Sequence, residues 1–235
     1  MKSEKRKFRI LLLFAVVFTT LAFVSVGCAS RTPPGEVWNR TFGGTNDDYA
    51  HSVQQTSDGG YIIAGSTSSY DAGYTDFWLV KTDSNGNRQW DKTFGKMGCD
   101  EAFFVQQTSD GGYIIAGSTS SYGAGSEDFW LVKTYPNGNE QWNKTFGGTD
   151  GDVAYCVQQT SDGGYIITGW TRSYGAGGSD FWLVKTDSNG NRQWDKTFGG
   201  IDYDCAHSVQ QTSDGGYIIA GSTSSYDAGY TDFWL

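Results

Sequence analysis

A unit of 52 residues runs four times through the chain without insertion or deletion. Trp38, Trp90, Trp142 and Trp194 share one phase of it, and the DGG triplets at Asp58, Asp110, Asp162 and Asp214 share another. A fixed period of about 20–50 residues, or just above it, marks a solenoid, propeller or array, because one supersecondary unit cannot bury its apolar faces without neighbours.

Each unit reads as four short strands separated by turn signals. In the first unit these fall at 51–56, 61–67, 76–82 and 89–94. Ser57-Asp58-Gly59-Gly60 joins the first pair and Asp83-Ser84-Asn85-Gly86-Asn87 the second. Asp-Gly and Asn-Gly accept the positive φ that tight turns between twisted strands require. The second strand is apolar on both faces (Ile63 against Ile62 and Ala64), as is the third (Phe77 and Leu79 against Trp78 and Val80). Strands covered on both sides lie between stacked sheets. The fourth alternates Trp90 and Phe94 with polar residues, and the first is small and polar apart from Val53. That gradient predicts an all-β fold: a β-propeller of four-stranded antiparallel blades, with a narrow channel inside and solvent outside. A β-helix coil is much shorter than 52 residues, and an immunoglobulin-like sandwich needs about 100.

The two ends suggest how such a ring is closed. Residues 36–44 (EVWNRTFGG) form a fourth strand without its own unit, and 232–235 (DFWL) begin a third strand without a fourth. Pairing them would complete a fourth blade and remove an exposed sheet edge. Residues 51–79 are identical to 207–235, however, and an open fragment of a larger propeller with five or more blades is the alternative. The organisation expected is a signal peptide at 1–28, a tether at 29–36 (ASRTPPGE) and a propeller domain at 37–235, with units near 45–96, 97–148, 149–200 and 201–235 plus 37–44.

Lys2, Lys5, Arg6, Lys7 and Arg9 precede an apolar run at 10–26, the layout of an export signal. The run ends in Ser25-Val26-Gly27-Cys28, which resembles a prokaryotic lipobox, with Ser25 where Leu is usual. Cys28 is thus the expected lipidation site, and the location expected is the cell surface, membrane-anchored. Ordinary cleavage and secretion is one alternative. A retained anchor is another, since the run approaches the roughly 18–20 residues that span a bilayer. Removing residues 1–27 takes away five basic groups and Glu4, moving the formal charge from −9 to −13. An acidic body opposes nucleic-acid binding, so protein or carbohydrate partners are expected at the surface, besides the membrane itself. Cys99, Cys156 and Cys205 occupy three different positions of the unit, which favours at least one free thiol over a disulfide framework.

The consensus SVQQTSDGGYIIAGSTSSYGAG, continuing through DFWLVKTDSNGN to QWDKTFGG, resembles the repeats of secreted archaeal and bacterial surface proteins with β-propeller domains. The resemblance covers about residues 37–235 and implies a surface display or binding module, bringing no catalytic residue with it. Similar repeats carry quinoprotein-like or lectin-like labels; no motif in this chain supports either. Thr56-Ser57-Asp58-Gly59-Gly60 is also similar to the Asp-box of sialidases, a hairpin element remote from their chemistry.

Strand order puts the longer loops, 43–49 and 68–75 in the first unit, on one face and the tight hairpins on the other. Differences among the units collect in the longer loops, which makes that face the candidate binding surface. Asp48, Asp100, Asp152 and Asp204 recur at the start of the inner strand. They are candidate Ca²⁺ ligands if they ring a channel mouth, or acceptors for loop N–H groups. Tyr70, Tyr122, Tyr174 and Tyr226, with Tyr74 and Tyr230, stand beside Asp and Ser on the same face, suited to stacking on sugars or to packing. Trp170 replaces a Ser of the other units. No catalytic residue is assigned and no cofactor is expected beyond that Ca²⁺. His51 and His207 are copies of one position, and no unit-specific cluster of Arg, His or acidic residues is recognised. The expectation is therefore a non-enzymatic binding module for protein or glycan. A propeller-type enzyme or cofactor domain (quinoprotein-like, lyase or hydrolase) and a structural segment of a larger surface protein are the alternatives.

Overall fold

The computed structural model describes residues 38–70, 73–226 and 229–235, all within the compact unit Trp38–Leu235. The leader, the tether and Cys28 lie outside the described residues. Fifteen strands and no helix are found among the described residues. The first antiparallel sheet contains β1 (Asp48–Gln55), β2 (Tyr61–Thr67), β3 (Asp76–Thr82) and β4 (Arg88–Phe94) in sequential order. The second contains β5 (Asp100–Gln107), β6 (Tyr113–Thr119), β7 (Asp128–Thr134) and β8 (Glu140–Phe146), and the third β9 (Asp152–Gln159), β10 (Tyr165–Thr171), β11 (Asp180–Thr186) and β12 (Arg192–Phe198). The fourth has three strands, β13 (Asp204–Gln211), β14 (Tyr217–Thr223) and β15 (Asp232–Trp234).

The hairpins form where the turn residues predict. Gly59 has φ +83 and Gly86 φ +74, and Thr56 N–H donates to the Gly60 carbonyl at 2.9 Å. The aspartate of each DGG triplet does more than turn the chain. Lys81, nearly fully buried on β3, reaches back so that its Nζ lies 2.9 Å from Asp58 Oδ2 and 2.8 Å from the Thr82 carbonyl. Lys133 with Asp110 and Lys185 with Asp162 repeat the pair at 2.9 Å. Hydrogen bonds from Thr56 and then Lys81 hold the Asp58 carboxyl well below the usual carboxylate range. The Asp-box-like motif is thus a hairpin tied to the core of its own sheet.

The inner strands start three residues earlier than the sequence pattern suggests. A β-bulge at His51 separates Ser52↔Ala64 from Ala50↔Gly65, and the ladder then continues to Asp48↔Thr67. Phe103, Tyr155 and His207 are bulged likewise. An extra residue breaks the period-2 alternation, so the pattern ends at the bulge although the pairing does not.

Each sheet buries its two faces in two different cores. Ile62, Ala64, Phe77 and Leu79 of the first sheet pack with Val105, Ile115, Trp130 and Val132 of the second. Ile114, Ala116, Phe129 and Leu131 from the opposite face of the second pack with Val157, Ile167, Trp182 and Val184 of the third. Tilted ring pairs mark the same place at each junction: Phe77–Trp130 at 4.4 Å, Phe129–Trp182 at 4.6 Å and Phe181–Trp234 at 4.6 Å. A glutamine ladder runs alongside: the side-chain oxygens of Gln54, Gln106 and Gln158 accept from the N–H groups of Gln107, Gln159 and Gln211 at 2.6–2.8 Å.

Residues 38–44 form no strand, and β15 pairs with β14 alone. The fourth strand expected from the N-terminal segment is therefore not added to the last sheet. That segment lies on the first sheet, where Trp38 meets Tyr61 at 5.7 Å as Trp90 meets Tyr113 at 5.8 Å. It occupies the place that the outer strand of a preceding unit takes in later units.

Candidate functional site

The four aspartates of the long-loop face are built into their own units. Asp48 accepts from the Thr67 hydroxyl, from Ser69 Oγ at 2.8 Å and from Gly44 N–H at 2.9 Å. Asp100 takes Thr119 and Ser121, and Asp152 takes Thr171, Ser173 and Gly148. Asp204 repeats this with Ser225 and Gly200. Burial pushes the Asp48 and Asp204 carboxyls up, but the hydroxyl and N–H donors outweigh it and hold both below the ordinary value. Their lone pairs face loop donors, and among the described residues no three His, Cys, Asp or Glu side chains form a metal group.

The recurrent tyrosines are likewise used in packing. The rings of Tyr70, Tyr174 and Tyr226 lie 5.5, 5.2 and 5.2 Å from Trp78, Trp182 and Trp234 of their own units. Their hydroxyls donate to the carbonyls of Gly43, Gly147 and Gly199 at 2.7–2.9 Å. Tyr122 stacks on Trp130 at 5.1 Å, with Lys96 Nζ 4.6 Å from its ring centroid. Tyr74 and Tyr230 are exposed.

The third unit is different. Trp170 Nε1 donates to Tyr155 Oη at 3.3 Å, and the Arg172 guanidinium lies 5.1 Å over the Trp170 ring and 5.9 Å over the Tyr203 ring. Glu127, half-buried, has its carboxyl pushed up by burial and then by Glu101, while Arg172 opposes the shift. Burial also raises the Tyr155 hydroxyl; Trp170 opposes this, and Cys205, Glu127 and Glu101 add to it. The Cys205 thiol is pushed up to about 11 by burial. Three consecutive units thus contribute: Glu101 and Glu127 from the second, Tyr155, Trp170 and Arg172 from the third, and Tyr203 and Cys205 from the fourth.

Apart from Cys205, whose unit-mates Tyr49, Glu101 and Val153 all differ, these residues break the repeat where it is otherwise conservative. Trp170 stands where other units have Ser66, Ser118 and Ser222, and Arg172 where they have Ser68, Ser120 and Ser224. Glu127 stands where they have Thr75, Ser179 and Thr231. The sequence expectation of no unit-specific charged cluster is corrected here, because β10, its following loop and the bulge at Tyr155 converge with the loop ending at Glu127. The signal lay in the simultaneous departure of Trp170 and Arg172 from the repeat.

Bulged side chains leave the ladder and align between units. His51, Phe103, Tyr155 and His207 form a row of rings with centroids 5.3, 5.2 and 5.5 Å apart. Tyr155 joins this row to Trp170. The arrangement offers two flat rings, a guanidinium with five N–H donors and two carboxylates on one exposed face, a set suited to a ligand with an apolar face and a rim of hydroxyls. Cys99, Cys156 and Cys205 are free thiols. Among the described residues no helix is long and apolar enough to cross a membrane.

No protein-family model matches the chain. Among curated proteins it is similar to the regulatory protein FlaEY of Caulobacter vibrioides, with 24% identity over 237 aligned residues that cover 86% of this chain and 25% of that protein. The chain therefore spans about a quarter of the length of the relative it matches.

Proposed function

We propose that the four sheets are blades of a β-propeller, and that the chain is an exported, membrane-anchored surface protein that binds glycan or protein non-enzymatically through its long-loop face. The observation that carries this reading is the Trp170–Arg172–Tyr203 surface beside Glu127, which exists in one place on an otherwise repeated scaffold. Loops on a rigid sheet scaffold are where binding residues concentrate. A stacked Trp and Tyr with an Arg between them suits the apolar face and hydroxyl rim of a sugar ring. A regulatory role, the one stated in the name of the Caulobacter relative, would be exercised through such a face. Export and lipidation are supported by the leader and by Cys28.

The repeat supplies its own control for a test. Trp170→Ser and Arg172→Ser restore what the other units carry, so the sheet tolerates both. On a glycan array and in pull-downs with surface proteins of the source cell, the wild-type chain is expected to retain a ligand that the double variant loses. Equal binding by the two would refute the assignment. Glu127 favours a second, enzymatic reading, since a half-buried carboxyl with a raised proton affinity suits proton transfer. Turnover of a bound glycan, abolished by Glu127→Gln, would establish that reading instead.

A further inference from the structure

The first and last sheets carry the same 29-residue segment, 51–79 and 207–235, yet bury it differently. Ile62, Phe77 and Leu79 are 0%, 1% and 1% exposed against the second sheet, whereas their copies Ile218, Phe233 and Leu235 are 48%, 100% and 81% exposed. The last sheet therefore presents, bare, the face that the first sheet uses to hold its successor. At the other end, Ile63, Trp78 and Val80 are the first sheet's copies of the residues by which later sheets receive their predecessors. With Arg40, Thr41 and Phe42 they line a cleft of about 270 Å³. One end is a plug and the other its socket, by repetition of sequence.

The polar edge is complementary too. Gln54, Gln106 and Gln158 each accept a main-chain N–H from the next unit, and the N–H groups of Ser57, Ser109 and Ser161 each donate to a glutamine of the next unit at 2.8–2.9 Å. Gln210 and Ser213 hold the same positions in the last unit, and Gln55 holds the receiving one in the first. The row of rings ends at His51 and His207, and no contact of the size seen between neighbouring sheets joins β13 or β14 to β1 or β2. Three equal junctions leave the two ends apart.

We infer that the exposed face of the fourth sheet docks on the first sheet of a second copy of this chain, head to tail. This rests on the unit-to-unit packing and not on the ligand face proposed above. The internal ladders fix its register. Phe77↔Phe94, Trp78↔Thr93 and Leu79↔Lys92 in the first sheet become Phe233↔Phe42, Trp234↔Thr41 and Leu235↔Arg40 across the two copies. Residues 38–44 of one copy thereby supply the missing fourth strand of the other. Gln210 and Ser213 pair with Gln55 of the second copy, continuing the glutamine ladder. Heterologous contacts of this kind close into a ring if the rotation permits and extend if it does not.

Light scattering of the purified full-length chain tests this across a concentration series. The expected mass is a whole multiple of one chain, falling on dilution, and Phe233→Glu should weaken association at least about tenfold. A single-chain mass throughout, or association that Phe233→Glu leaves unchanged, overturns the inference. Register is tested with Cys28 and Cys99 replaced by Ser, one preparation carrying Arg40→Cys and another Leu235→Cys. Mixing them should give a disulfide-linked pair. Failure to link, or a chain with both substitutions that links only within itself, overturns docking between copies.

Discussion

Replacing Asp110 with Asn tests whether the hairpins are held by the buried lysines. Lys133 is 2% exposed, and its Nζ lies 2.9 and 3.1 Å from the two Asp110 oxygens and 2.9 Å from the Thr134 carbonyl. Asparagine keeps an oxygen for Thr108 and Gly112, so the substitution removes chiefly the charge. Leaving a fully buried ion without its partner costs about 3–5 kcal/mol. The Asp110 side chain is 56% exposed, and water reaching it screens the pair, so about 2–3 kcal/mol is the better expectation. For a domain of this size that lowers Tm by roughly 5–10 °C, readable by calorimetry or circular dichroism. The fourth unit is the internal control, because Asp214 accepts from Thr212 and Gly216 with no lysine among the described residues. Asp214→Asn should cost clearly less. Equal losses from the two substitutions would refute the ion-pair argument and leave the turn hydrogen bonds as the source of stability. The pH dependence has a defined sign. Burial raises the Asp110 carboxyl, but Thr108 and Lys133 outweigh it and hold it lowered. Its contribution is therefore full above the ordinary carboxylate value and is lost as pH falls below it, and Asp110→Asn should flatten that part of the acid-unfolding curve.

Other consequences are checked as simply. Trp170→Ser with Arg172→Ser should abolish ligand capture while moving Tm by no more than a few degrees. Glu127 has a raised proton affinity in the folded chain, so its ionised form opposes folding; acidification from pH 7 toward 5 should raise Tm more in the wild type than in Glu127→Gln. Gln106→Ala strands the Gln159 N–H and should cost about 1 kcal/mol, measured by denaturant unfolding, whereas Gln210→Ala should leave a dilute, single-chain sample unaffected. Cys28→Ser should release the protein from membranes in cell fractionation; unchanged fractionation and lipid mass would sink the lipoprotein reading.

The strand pattern was legible in the sequence because Asp-Gly and Asn-Gly turns bracket runs whose two apolar faces must both be covered. The bulges were not, since a residue such as Phe103 enters the alternation as an ordinary apolar position. The recurring Asp and Tyr residues drew attention by recurrence, and recurrence marks what every unit needs for its own fold: Asp152 satisfies Thr171, Ser173 and Gly148, and Tyr174 reaches the Gly147 carbonyl. Trp170 was visible as a departure, but its partners were hidden. Arg172, Glu127 and Tyr155 lie on three different segments, and only the packing of one sheet on the next brings them together.

Repetition also constrains what the ends can do. When each sheet is made to fit its neighbour by nearly the same residues, the outward face of any unit fits the inward face of every other. A Phe233 side chain that meets no ring has the same chemistry as Phe77, whose ring lies 4.4 Å from Trp130. Burying a Phe of this kind is worth about 1.5–3 kcal/mol, and Ile218 and Leu235 add contributions of similar size. The plug face is thus a strong driving force for association unless something covers it. The socket is already partly filled by Trp38 and Phe42, which restricts arrivals to a unit that can align its third strand beside residues 38–44. A unit with that strand is what β15 provides, so the N-terminal segment acts as a filter on partners as well as a cover for the first sheet.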